Sequence, residues 1–426
     1  MELAILLALL FALLLIGVPV AFALGISSLV TFFILDIPLV VAFQRMAAGM
    51  NVFSLMAIPF FVFAGDLMHR AGIAERLIRV ADAALGRMRG GLGQVDIGAS
   101  MLFGAVSGSA IASVSAIGST LGPMMKEKGY DADYAVNVSA TAAITGLLIP
   151  PSHNMIIYAA AAGVSISLAD LFLAGIVPGV VTGLLLMFAA WFVAIARNYP
   201  RGTFPGWRAF IAAFAGAIPG LIAALIIVLG VLSGVFTPTE SSGIAVVYTI
   251  IVAIGVYRSL TWAGFVAATT AAIRTTAMVM IVIGAAAAFG WLLALLQAPE
   301  HLANLLRGIT ENPLLLLLLI NIVLLLLGTF MDMAPLIIIT TPIFLPMASD
   351  LGMDPVQFGI MLLLNLGIGL VTPPVGSVLF VGCAVGGIPI EKTVKTIWPF
   401  YLALLVALGL VAYFPAMSLW LPQLLN

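Results

Sequence analysis

The chain has 426 residues, of which 63% are apolar and only 8% charged, with a mean hydropathy of +1.27 and a formal net charge of −1. A water-facing domain carries about 25% charged residues, so a soluble globular fold is excluded, and the near-neutral balance offers no footprint for nucleic acid. A lone cysteine, Cys383, excludes an intrachain disulfide and a Cys-rich metal site.

Helices are favoured over a β-barrel. Runs such as Ile222–Leu232 and Leu314–Leu327 are almost continuously apolar, where barrel strands would alternate. The chain starts with Met1-Glu2 and the run Leu3–Leu15, with no basic residue ahead of it, so a retained first span is expected rather than a cleaved signal. A span needs about 20 apolar residues. Ordinary spans are predicted near 3–24, 26–43, 49–69, 171–195, 212–234, 242–257, 276–298 and 398–420. The basic stretch Arg70–Arg89 reads as a cytoplasm-facing amphipathic connection.

Four stretches break this pattern. Ile97–Met125 carries no charge, Ala135–Ala169 only His153, Pro313–Ser349 only Asp332, and Pro355–Ile390 none. As straight helices of 29 to 37 residues they would run to roughly 44–55 Å, against about 30 Å of hydrocarbon. Ser107-Gly108-Ser109 and Gly328-Thr-Phe-Met-Asp332 put small and polar residues at mid-length, as the tip of a re-entrant hairpin requires. Ile149-Pro-Pro-Ser152 and Thr372-Pro-Pro-Val375 each remove two backbone donors in succession, which predicts discontinuous helices.

These stretches form two pairs. Pro123-Met124 matches Pro346-Met347, Gly129-Tyr-Asp131 matches Gly352-Met-Asp354, and Gly146-Leu-Leu-Ile-Pro-Pro151 matches Gly369-Leu-Val-Thr-Pro-Pro374, all at one offset of 223 residues. The same register sets Ser109 opposite Asp332. Paired broken segments in two halves point to a transport site near the bilayer midplane. We therefore expect one all-α, polytopic membrane domain over residues 1–426, with repeat halves of about 1–200 and 210–426 and core segments of about 97–169 and 313–390.

The ordered set of motifs resembles a known family. Phe60-Phe-Val-Phe-Ala-Gly65, Ser107-Gly-Ser-Ala110, Ile149-Pro-Pro-Ser152, Gly234-Val-Phe-Thr-Pro-Thr-Glu240, Gly328 with Asp332, and Thr372-Pro-Pro-Val-Gly376 look like the large, DctM-type membrane subunit of tripartite ATP-independent periplasmic (TRAP) transporters. The resemblance implies two inverted repeats, an elevator-type transport domain moving against a scaffold, and a location in the bacterial inner membrane. It also implies Na+ symport of an organic acid such as a dicarboxylate, with no cofactor beyond the coupling ion. Its partners would be a small membrane subunit, here a separate chain, and a periplasmic binding protein. Ser107, Ser109, Gly146, Ile149 and Pro151 fall where the family's first cation site lies. Gly328, Asp332, Gly369, Thr372 and Pro374 are assigned to a second, partly through the internal repeat. One departure is Ser113, where some members carry Asp.

Each candidate has a plainer alternative. Asp332 in mid-segment costs about 2.5–3.5 kcal/mol on insertion scales, so it should face an ion, a cavity or a partner, or else bond backbone donors at the hairpin tip. Ser107 and Ser109 could merely allow close packing, but hydroxyls and carbonyls are also what a hard cation takes. His153 and Ser152, after the first double proline, and Arg274, alone in an uncharged run, are substrate-binding candidates. A guanidinium fork suits a carboxylate, although Arg274 could equally snorkel to an interface. Glu240 reads as part of a helix cap with Thr237 or Thr239. A stand-alone ion-coupled carboxylate transporter of similar two-hairpin build is the nearest competing function. An intramembrane enzyme has no support, because the three histidines are scattered and no Gly-x-Ser-x-Gly or His-Glu-x-x-His occurs.

Overall fold

The computed structural model describes residues 1–425, with side chains at all of these except 303, 306 and 307. Among the described residues every regular element is a helix, and the β-type contact present is one isolated bridge between Arg89 and Arg201. Among the described residues, five helices are long and apolar enough to cross a bilayer: Leu168–Ala196, Trp207–Leu232, Pro238–Val256, Trp262–Leu295 and Met333–Asp350. Counting each sharply bent pair as one span raises the number to as many as nine.

Local chemistry sets where these helices start. Ser167, Thr261 and Asn312 each accept a bond from a backbone N–H of their own first turn, meeting donors that the helix cannot use itself. Thr237 and Glu240 make a reciprocal capping box, with Glu240 N donating to Thr237 Oγ1 at 3.2 Å and Thr237 N to Glu240 Oε2 at 2.8 Å. This is the role the sequence suggests for Glu240.

The first 70 residues are more broken than expected. In place of spans near 3–24, 26–43 and 49–69, the helices are Glu2–Leu15, Val20–Ile34, Leu39–Met50 and Ala57–Arg70. Pro19 and Pro38 stand at N-caps, and Gly17 and Asp36 just before them have positive φ, so each turn is fixed by backbone chemistry inside an apolar run. Leu39–Met50 bends by 61° into the next segment. By contrast, Arg274 does not end a span: Trp262–Leu295 runs through it for 34 residues. The basic connection contains the amphipathic helix Ile73–Leu85, which buries Ile73, Ala74, Leu77, Ile78 and Ala81 and exposes Glu75, Arg79 and Asp82.

The two hairpins form as the small-residue tips predict. Gly91–Ser107 reverses at Gly108 (φ 61°) and Ser109 into the returning arm, which ends at Glu127. Pro313–Gly328 reverses through 329–332 into Met333–Asp350. The first broken helix, Ala132–Leu148, bends by 53° across Ile149–Ser152 into His153–Ala161. In the second, Pro355–Gly369 stops and the chain resumes at Ser377–Gly386. The broken helices touch where Gly367 meets Ile144 and Leu147, and Tyr158 Oη donates to Pro355 O at 2.5 Å.

One polar cluster anchors the first broken helix. Arg197, at the end of Leu168–Ala196, bonds Asp133 at 2.9 and 3.0 Å and Asp131 at 3.0 Å. Tyr199 Oη donates to Asp131 at 2.7 Å; burial and this bond push its phenol up to about 12.

Candidate functional site

In each half the hairpin crosses its own broken helix glycine against glycine. A Cβ on Gly146 would lie 2.6 Å from Gly104 Cα, and one on Gly369 would lie 2.5 Å from Gly328 C. Contact this close between backbones leaves no room for a side chain. It seats each tip on its own break. A Cβ on Gly108 would meet Pro151 O at 3.1 Å and His153 Nδ1 at 3.4 Å, and Val375 N donates to Thr329 O at 3.1 Å.

The two tips open onto one cavity of about 330 Å³. Equivalent residues of the two halves line it, each pair 223 residues apart: Ser109 and Asp332, Ala110 and Met333, Ile111 and Ala334, Leu147 and Leu370. Ser107 and His153 join them. The matched positions thus face a common space rather than two separate ones.

The tips are not chemically alike. Ser109 caps its returning arm, accepting from Ala112 N at 3.3 Å. Asp332 holds the same N-cap position, yet its carboxylate makes no cap bond and is exposed to the cavity. Its alternative role, bonding backbone donors to fix the tip, is therefore not the one seen at this N-cap. Pro151 lies against the first tip at Gly108 and Gly146 against the outgoing arm at Gly104, while Ile149 packs toward Gly179 of Leu168–Ala196. In the second half Gly369 packs on Gly328, and Thr372 Oγ1 donates to Ile368 O at 2.7 Å. Pro374 is exposed at the second break. Among the described residues, the buried hydroxyls of Ser152 and Ser113 have no hydrogen-bond partner.

Of the substrate candidates, His153 lines the cavity. Ser152 is fully buried next to it. Arg274 is exposed and outside the lining, although Ala271 and Thr275 on the same helix are within it. Sequence reasoning missed Asp66 and His69, which line the cavity from Ala57–Arg70 together with Val62 and Gly65. The spacing 62, 65, 66, 69 is one helical face, but within an apolar run it does not say which way that face turns. Asp66 is paired with Arg70 at 2.9 Å.

A family model for the tripartite ATP-independent periplasmic transporter, DctM component, matches residues 7–417. The chain belongs to this family. Among its relatives, the sialic acid TRAP transporter large permease protein SiaM of Vibrio cholerae is 39% identical over 96% of this chain and 95% of its own length. The C4-dicarboxylate TRAP transporter large permease protein DctM of Pseudomonas aeruginosa is 39% identical over 88% of this chain and 87% of its own. In fold, the chain is similar to the crystal structure of the Alcanivorax borkumensis YdaH transporter, with a TM-score of 0.58 at 16% identity, covering 89% of this chain and 88% of that one. This DctM-family protein is thus a multi-pass inner-membrane permease subunit and not an enzyme. Membership implies a small membrane subunit and a periplasmic binding protein as partners.

Proposed function

We propose that this subunit imports an organic acid, delivered by the periplasmic binding protein, together with Na+ through the cavity between the hairpin tips. The reading is carried by the pairing of Ser109 with Asp332 across that cavity. In support, Asp332 is left unused by its own helix and is exposed at the cavity. Hydroxyl, carboxylate and freed carbonyl oxygens are the ligands a hard cation takes. Ser107, Ser109, Gly146, Ile149 and Pro151 would form one cation site, and Gly328, Asp332, Gly369, Thr372 and Pro374 the other.

The cavity carries the carboxylates of Asp66 and Asp332, and Arg70 is engaged with Asp66. An anion entering it meets like charge, so bound cations would prepare the site for it. Ser152, His153 and Asn154 are the substrate-side groups in this reading, and Arg274 is assigned no contact. Transport would follow an elevator path, with the hairpins and broken helices moving against the long outer helices. The acid itself would be chosen mainly by the binding protein.

Reconstitution into proteoliposomes with the small subunit and binding protein tests this. Asp332→Asn and Ser109→Ala should each lower Na+-driven uptake at least about tenfold, equivalent to about 1.4 kcal/mol, while inserting normally. Unchanged Na+ dependence in both variants would sink the assignment. Full uptake by this chain alone would instead favour a stand-alone carboxylate transporter.

A further inference from the structure

Asp96 is a fully buried carboxylate on the outgoing arm of the first hairpin, about two turns before the crossing at Gly104. Its Oδ1 accepts from Ser100 Oγ at 3.3 Å, and its Oδ2 is hydrogen-bonded to Ser139 Oγ on the first broken helix. Among the described residues no Lys, Arg or His nitrogen lies within 4.0 Å of it.

The charged groups on the elements packed around this arm are turned elsewhere. Glu75, Arg79 and Asp82 of Ile73–Leu85 are exposed, and Arg76 lies over the Tyr257 ring and donates to Gly72 O at 2.8 Å. Arg70 of Ala57–Arg70 is paired with Asp66, and Asp133 of the first broken helix with Arg197. From that same broken helix, Tyr134 lies against Gly93 with its hydroxyl donated to Ala190 O. His69 meets the arm at Phe103, two turns from Asp96. Leu168–Ala196 has no ionisable group after Asp170, and Trp207–Leu232 none after Arg208. A carboxylate isolated in this way takes up a proton rather than remain charged. A hard cation would need oxygens spread around it, whereas here they are bonded to one another.

The second half supplies an internal comparison. There the hairpin arm is joined to its broken helix by a neutral pair, Asn365 Nδ2 donating to Asn321 Oδ1 at 2.8 Å. Clamping the two elements therefore does not call for an acid. Ser139 also borders a separate cavity of about 260 Å³, edged by Gly118, Gly382 and the exposed Lys126.

We propose that Asp96, with Ser100 and Ser139, is a proton-binding site of the permease that exchanges its proton with the aqueous phase through the cavity edged by Lys126. In the protonated form the carboxyl O–H donates to Ser139 Oγ. On release the proton leaves by way of Ser139, and the carboxylate accepts from both hydroxyls. The proposal stands apart from the Na+ reading.

The first test uses the purified chain in nanodiscs with dicyclohexylcarbodiimide, which modifies protonated buried carboxyls, and peptide mass spectrometry. The Asp96 adduct should form at acidic pH, decline as pH rises, and be insensitive to Na+. Ser139→Ala removes a donor to the charged form, so it should move the midpoint to higher pH. Asp96→Asn should fold, as the Asn321–Asn365 pair does, and give no adduct. Absence of the adduct at every pH, or its suppression by Na+, overturns the proposal. As a second test, proton uptake by the purified chain on lowering the pH should be smaller for Asp96→Asn than for wild type; equal uptake by the two overturns the proposal.

Discussion

Asp332 and Ser109 hold the same N-cap position in two copies of one hairpin, and only the serine spends its side chain on the helix. The carboxylate is thereby left facing the cavity. Asp66 is a different case. Its pair with Arg70 is an i,i+4 contact, which contributes only about 0.3–0.5 kcal/mol. Asp66→Ala should therefore leave the melting curve almost unmoved while shifting the substrate concentration at half-maximal uptake, read from initial rates. Gly104 should behave in the opposite way. A methyl group there meets the backbone of Gly146, so Gly104→Ala should destabilise by about 1–3 kcal/mol. A lowered thermal midpoint in detergent would register this, and an unchanged midpoint would show that the crossing is looser than described.

At the scale of elements, the fold is punctuated by caps and breaks. The capping box at Thr237 satisfies first-turn donors that the helix itself leaves unpaired. Thr237→Ala should cost about 1 kcal/mol, and Thr237→Ser should restore most of it in the same melt. The hairpin tips and double-proline breaks were legible because their chemistry is local: a proline lacks its donor wherever it stands. The breaks at Gly17–Pro19 and Asp36–Pro38 rest on the same chemistry, yet they lie inside apolar runs whose hydropathy reads as continuous.

For the whole molecule, the cavity exists only because the two halves meet. Its accessibility can be measured with Ile111→Cys, which lines the cavity, in a Cys383→Ser background, using a hydrophilic maleimide. Na+ with substrate should slow labelling several-fold, whereas Arg274→Cys, outside the lining, should label at an unchanged rate. Equal protection at both positions would contradict the arrangement of Trp262–Leu295 around the cavity.

The sequence by itself determined the solvent, the helical class, the 223-residue repeat and the polar tips, since composition and backbone chemistry act without distant partners. Tertiary structure decided which faces turn inward. In lipid both the outer and the buried face of a helix are apolar, so amphipathic patterning does not report the interior as it does in water. Hence Asp66 and His69 were hidden in an ordinary span, Arg274 proved to flank the cavity, and Asp96 took its meaning only when Ser139 closed over it.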